Sequence, residues 1–365
     1  MRGFSQMTAA DQFATRLDRH LGRVAARRGL LGAPQVAVSA PRLGVEYRSG
    51  GSRRFHVASI GKTFTATLVM QLVESGALAL DARVSGLLPR AELDGLFDAT
   101  GSTDVAGGAT LEHLLTHTAG VADYFEGAVS SGPKLIDLVV DEPDTLWTPA
   151  TLLAFSRDRQ RPVARPGERF LYSDTGYILV GRILEEVTGR AFHELLHERI
   201  FTPLDLRDSA LLFHSPSAPD AEAIDLAPLR IGRHELSRAR SLSCDWAGGG
   251  IVSTPDDLIA FGSALHHGRL LSDASIASMA EPRHRFRVGI HYGAGMMQVR
   301  FEGFSPFLRG MPRPIGHIGV LGTHLFHDPV HDAEIVLNFA STREMTRSFR
   351  TLIEIERMLA RVSAR

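Results

Sequence analysis

The stretch FHVASIGKTFTATLVMQLVESG, Phe55 to Gly76, decides how the rest of this chain is read. A short extended lead-in, Phe55 and Val57, runs into Ser59, and Lys62 follows three residues later. Phe64, Leu68, Val69, Leu72 and Val73 then recur at spacings of three and four, the period of a helix with an apolar face. Gly76 falls where a helix C′ residue belongs. Ser59 is therefore expected at a helix N-terminus, where free backbone N–H groups and the helix dipole favour negative charge. Residues three apart share a helix face, so the Lys62 amine is within reach of the Ser59 hydroxyl. A hydroxyl with a base one turn away is the minimal apparatus of a serine nucleophile. The same pair also fits a plain helix start followed by a solvated lysine.

Composition bears on that choice. Of 40 basic residues only Lys62 and Lys134 are lysines, and all the others are arginines. Arginine does not deprotonate in a protein whereas a desolvated lysine does, so lysine at 62 suits a general-base role that arginine could not fill. A formal net charge of −1 and a pI near 7 give no reason to expect nucleic acid or an anionic membrane as partner. One cysteine, Cys244, excludes an internal disulfide. No run approaches the length of a membrane span, and the N-terminal segment is a charged amphipathic helix rather than a leader peptide. A cytoplasmic protein is the expectation. At 365 residues with 44% hydrophobic content, there is ample core for one large or two intimately joined domains.

Around the opening stretch, the period changes along the chain. A helix from about Ala9 to Arg28 carries Phe13, Leu17 and Leu21 on one stripe. PQVAVSA and GVEYRSG read as strands joined by a turn at Pro41 and Arg42. From Leu78 to about Arg240, helical patterns and irregular loops dominate. Thr110 to Gly120 (TLEHLLTHTAG) reads as a helix capped by Thr110; its His113 and His117 have a metal-binding spacing but no third ligand, and are read as structural. Near Tyr172, Ser173 or Asp174 caps a helix with the stripe Ile178, Leu179, Ile183, Leu184 and Val187, ended by Gly189. Ser209 to Arg240 reads as a surface excursion. Thr254, Pro255 and the Asp256–Asp257 pair start another helix, running to about His266. HYGAGMMQVRF, PIGHIGVLGTHLFHD and AEIVLNFAS read as strands, and a last helix covers about Thr346 to Val362. His324, His327 and His331 are read as a polar strand end rather than a metal site. There is no G-x-S-x-G elbow.

In order along the chain stand S-x-x-K at Ser59–Lys62, LLTHTAG at 114–120, Y-S-D at Tyr172–Asp174, GGIVSTPDDL at 249–258, and H-I-G at His317–Gly319. This set resembles the serine β-lactamase and penicillin-binding-protein superfamily, and most closely its class C-like branch of esterases, D-amino-acid peptidases and acyltransferases. The likeness covers nearly the whole chain and is weakest before Pro34 and between Ser209 and Arg240. It implies an α/β (α+β) fold: an antiparallel sheet flanked by N- and C-terminal helices, with an inserted helical domain. The corresponding division is residues 1–80 and 241–365 for the sheet domain and 81–240 for the mostly helical insert.

The same resemblance implies Ser59 as nucleophile, with Lys62 and Tyr172 sharing the proton work. Either a cationic Lys62 favours a Tyr172 phenolate, or a neutral Lys62 is the base and Tyr172 relays the proton to the leaving group. The N–H groups of Ser59 and Val320 would hold the oxyanion, with Gly319 letting substrate close to the strand. His317 stands where many relatives have Lys in K-T-G, and there it would hydrogen-bond Tyr172 or substrate. Asp174 stands where Asn is common, and it accepts rather than donates, or merely caps the helix. Both departures weaken the expectation of an efficient β-lactamase. The reading is a serine hydrolase forming an acyl-enzyme on a small-molecule ester or amide, with no metal or other cofactor. Esterase chemistry comes first, then a D-amino-acid peptidase or amidase, a transacylase and a β-lactamase. The non-enzyme alternative is a penicillin-binding sensor or inert scaffold.

Overall fold

In a computed structural model of the protein, residues 7–26 and 32–364 are described. Helix α1 (Ala9–Ala25) starts on a Thr8 capping box and leads to β1 (Gln35–Ala40) and β2 (Val45–Ser49). The last residues of the helix expected to reach Arg28 lie outside the described residues. After the short strand β3 (Phe55–His56) comes α2 (Gly61–Glu74). Helices α3 (Arg90–Leu93), α4 (Leu111–Leu115), α5 (Leu135–Asp141), α6 (Pro149–Arg159), α7 (Asp174–Thr188) and α8 (Phe192–Leu196) follow. Short strands β4 (Ala210–Leu211), β5 (Arg230–Ile231) and β6 (His234–Glu235) precede α9 (Trp246–Gly249) and β7 (Ile251–Ser253). The chain closes with α10 (Pro255–His266), α11 (Asp273–Ala280), strands β8 (His284–Arg287), β9 (Ile290–Tyr292), β10 (Met297–Val299), β11 (Ile315–Gly319), β12 (Thr323–Asp328) and β13 (Ala333–Asn338), and helix α12 (Met345–Ser363).

Eight strands form one antiparallel sheet in the order β2-β1-β13-β12-β11-β10-β9-β8. Side chains alternate faces along a strand, and both faces here are covered. Val36 and Val38 of β1 and Ile335 and Leu337 of β13 pack with Phe13 and Leu17 of α1 and Leu352 and Ile355 of α12. The intervening Ala37 and Val336 face the other way, into the core that holds Leu258 and Phe261 of α10. The terminal helices thus share one face of the sheet and α10 covers the opposite one, as the alternation in QVAVSA and AEIVLN requires.

Three expectations are corrected. Helix α2 is buried on nearly every side, not on one stripe; even Thr63, Thr65 and Thr67 are enclosed, their hydroxyls donating to backbone carbonyls. The helix begun by Thr110 stops at Leu115, so His113 and His117 do not share a face: His113 Nδ1 accepts from Thr110 N–H and His117 Nδ1 from Ser173 N–H. The 209–240 segment is not only a surface excursion. Ala210, Leu212, Ala218, Ala221, Ile224 and Leu226 bury a small core of their own against Val252, held in irregular backbone without a readable period. Among the described residues no helix is long and apolar enough to cross a membrane.

Candidate active site

Ser59 lies in a single 3₁₀ turn, Ala58–Ile60, that runs directly into α2. Ala58 has φ +52°, a left-handed conformation uncommon for a residue with a Cβ and most often found where a site dictates it. The turn is held between two glycine-dependent approaches. A Cβ on Gly249 of α9 would stand 2.8 Å from the Ala58 carbonyl, and one on Gly319 of β11 would stand 2.8 Å from both Val57 O and the Ala58 Cβ. Helix α9 and strand β11 can therefore press their backbones against the serine turn from two sides.

Lys62 has no solvent exposure. Its Nζ donates to Ser59 Oγ at 3.2 Å, to the Gly248 carbonyl at 2.8 Å, and to the Asp174 carboxylate in a short direct ion pair. The Tyr172 phenol meets the Ser59 and Lys62 side chains, and the ammonium stands 5.0 Å from the centre of its ring. Three side chains from positions 59, 62 and 172 are thus gathered around one hydroxyl, with Asp174 directly behind the amine. Ser173, not Asp174, caps α7, its Oγ accepting from Gly176 N–H, so the carboxylate of Asp174 is left to pair with Lys62.

Burial pushes the Lys62 pKa down, but the Asp174 carboxylate outweighs it and holds the amine above its usual range, as ammonium. Tyr172 is raised by burial, which the nearby Lys62 only partly offsets; this favours the neutral phenol over the phenolate that was one of the two alternatives. His317 is wholly enclosed, its Nδ1–H donating to the Ile318 carbonyl at 2.7 Å while Nε2 has no partner. Burial, aided by Lys62, lowers it to about 3. The hydrogen bond to Tyr172 expected of His317 is not formed; its ring centre lies 6.5 Å from that of Tyr172 and 5.7 Å from that of Tyr292.

Ser59, Tyr172, Asp174 and Val320 line one cavity of about 1530 Å³. Phe125, Phe170, Phe286, Phe304 and Phe349 give it apolar walls, and Arg285, Arg287, Asp123, Glu126 and Asp245 also line it. Asp123 and Asp245 are among those not foreseen as site residues. Asp123 is buried and accepts from the N–H groups of Asp174, Phe125 and Glu126, fixing the start of α7. Asp245 is raised to about 7 by burial and by Asp174, with Lys62 pulling the other way. Nothing in the local sequence of either aspartate marks it, because each comes to the site by tertiary approach alone. A hydroxyl bonded by a buried amine, a phenol beside both and an adjoining cavity together can support covalent acyl transfer.

The family model described as Beta-lactamase matches residues 32–356. Penicillin-binding protein 4 of Amycolatopsis lactamdurans is 34% identical over 158 residues, covering 43% of this chain and 36% of that protein. Esterase EstB of Burkholderia gladioli is 31% identical over 231 residues, covering 57% of this chain and 54% of that protein. The chain thus spans between about a quarter and a little over half the length of the curated relatives it matches. Among solved structures, a D-stereospecific amidohydrolase from a Streptomyces species superposes with a TM-score of 0.75 at 25% identity, covering 90% of this chain and 94% of that one.

Proposed function

The chain belongs to the beta-lactamase family, and from that membership we propose that it is a serine hydrolase working through an acyl-enzyme on Ser59. One observation carries the reading: a single amine, Lys62 Nζ, bonds both the Ser59 hydroxyl and the Asp174 carboxylate. As Ser59 Oγ attacks the substrate carbonyl carbon, its proton passes to Lys62, which gives one of its own to Asp174. Lys62 and Asp174 then act as one base, and the cationic resting state of the lysine is no obstacle. The Tyr172 phenol, neutral at rest, gives its proton to the departing alkoxide or amine and is reprotonated from the Lys62–Asp174 pair. The N–H groups of Ser59 and Val320 receive the oxyanion. Water, entering from the cavity, releases the acyl group by the reverse sequence.

A small-molecule carboxylic ester is the favoured substrate. Asp174 offers no N–H to an acyl-amide, and the phenylalanine-lined cavity suits a bulky apolar acyl or alcohol part. A second reading, an amide of a D-amino acid, draws on the acidic residues of the cavity, since Asp123, Glu126 and Asp245 would favour a substrate ammonium. The test is intact-mass analysis after a fluorophosphonate probe. One adduct per chain is expected, absent in Ser59→Ala, with hydrolysis of a nitrophenyl ester lost in parallel. An adduct that survives in Ser59→Ala would leave only the sensor or scaffold role.

A further inference from the structure

On the far side of the sheet from α10, the β12–β13 hairpin brings a second chemical cluster together. Asp328 is the last residue of β12, His331 lies in the turn that follows, and Glu356 reaches in from α12. Asp328 and Glu356 have no exposure and His331 is 7% exposed. One donor atom from each lies within 4.8 Å of the others. Asp328 has partners, with Oδ1 accepting from Val330 N–H at 2.8 Å and Oδ2 meeting His331 Nδ1. The buried Glu356 carboxyl stands against that of Asp328, hydrogen-bonded to it, and neither of its oxygens has any other hydrogen-bond partner. Among the described residues no lysine or arginine pairs with either carboxyl. Two adjacent buried carboxyls with no lysine or arginine between them must share a proton, and a divalent ion in place of that proton would be met by both carboxyls and the imidazole at once.

We propose that Asp328, His331 and Glu356 bind one divalent transition-metal ion, of the zinc or manganese type. Metal–nitrogen and metal–oxygen bonds of about 2.0–2.2 Å place donors of one tetrahedral shell roughly 3.4 Å apart, so a small inward turn of these side chains closes it. The imidazole favours such an ion over magnesium or calcium, which prefer an all-oxygen shell. The ion would clamp the hairpin tip to α12, a structural task separate from the chemistry at Ser59. His331 then belongs to a binding site, not to the polar strand end read from its spacing. The neighbouring trio His266, His327 and Glu334 does not compete for this role. Its two rings stack at 4.3 Å and only 15° apart, so their planes do not converge on one ion, and Glu334 Oε1 already receives both histidines.

Full-length protein, stripped with a chelator and dialysed, would be titrated with Zn²⁺ and with Mg²⁺ while thermal unfolding and native mass are recorded. Expected are one bound zinc per chain and a saturable rise of several degrees in the unfolding midpoint, with no response to Mg²⁺. Glu356→Gln, near-isosteric, should lose both effects, and His331→Gln, on a different element of the cluster, gives the same reading independently. His266→Gln should keep them. No stoichiometric zinc in the wild type, zinc retained in both Glu356→Gln and His331→Gln, or zinc lost in His266→Gln would each overturn the proposal.

Discussion

Lys62 and Asp174 meet in an ion pair whose lysine side chain is fully enclosed while the aspartate keeps a 13% exposed edge toward the cavity. A buried charge is tolerated only when paired, so the aspartate is what lets an ammonium rest beside Ser59. Replacing it by asparagine removes the largest influence that raises the lysine, and burial then pulls the Lys62 pKa down. Asp174→Asn is expected to lose about 10- to 100-fold in kcat/KM for an ester at neutral pH. It should also gain an alkaline rise in rate, as the lysine becomes a base by simple deprotonation. The wild type, with its lysine held above the usual range, should show no such limb. Superimposable pH–rate profiles for the two proteins would dissociate Asp174 from the proton path.

Lys62→Arg tests whether charge alone is needed. The guanidinium would preserve a cation beside Asp174 but does not give up a proton, and it is larger than the fully enclosed space that Lys62 occupies. Both Lys62→Arg and Lys62→Ala are expected to lose about 10³-fold or more in kcat. An arginine variant that kept a tenth of the activity would contradict the shared Lys62–Asp174 base.

The parts of the fold and site that were legible share one property: they are local. Ser59 and Lys62 sit within a single turn, the caps at Thr254 and Ser173 lie next to the helices they start, and the strands announce themselves by alternation. Tyr172 was legible through its Y-S-D motif, since nothing in its own neighbourhood distinguishes it from a packed tyrosine before a cap. What was missed is non-local. Asp174 reads as a cap candidate until α7 is laid against α2, and its carboxylate then meets an amine 112 residues earlier. The same holds for Glu356 and Asp328, which share neither a helix nor a strand. The core within 209–240 escaped because its buried residues follow no period that a strand or helix would impose.

His317 allows a sharp negative test. Its imidazole is lowered to about 3 by burial and by Lys62, so it is neutral at pH 5 and above. It should therefore contribute no ionisation to the rate profile above about pH 5. His317→Gln is expected to keep the shape of the wild-type profile, with a loss of no more than about 10-fold from altered packing behind Tyr172. Disappearance of a limb between pH 5 and 8 in this variant would place a titrating histidine in the mechanism.

Gly249 is required by distance rather than by backbone conformation. An added methyl group would press into the Ala58 backbone at 2.8 Å and push the serine turn away from α9. Overpacking of this kind costs about 1–3 kcal/mol, and a displacement of an ångström at a reacting group costs about 100-fold in rate. Gly249→Ala is expected to remain folded, with a modestly lower unfolding midpoint and a kcat reduced by about two orders of magnitude. Full activity in a folded Gly249→Ala protein would show that the turn can shift without consequence for Ser59.

Asp245 separates stability from catalysis. Its partly buried side chain lines the cavity beside Cys244, and burial raises its pKa to about 7 in the folded chain, against about 3.9 when unfolded. Below about pH 4 both states hold the proton and the group is neutral for folding. As pH rises toward 7 the unfolded chain releases it first, so the folded state loses ground, and above 7 the penalty is complete. Asp245→Asn carries no charge at any of these values. It should match the wild type in urea unfolding near pH 4 and exceed it by about 2–4 kcal/mol at pH 8, with the difference growing between those limits. A stability difference that did not change with pH would mean that the carboxyl is already ionised in the fold, and that Lys62 balances Asp245 as well as Asp174.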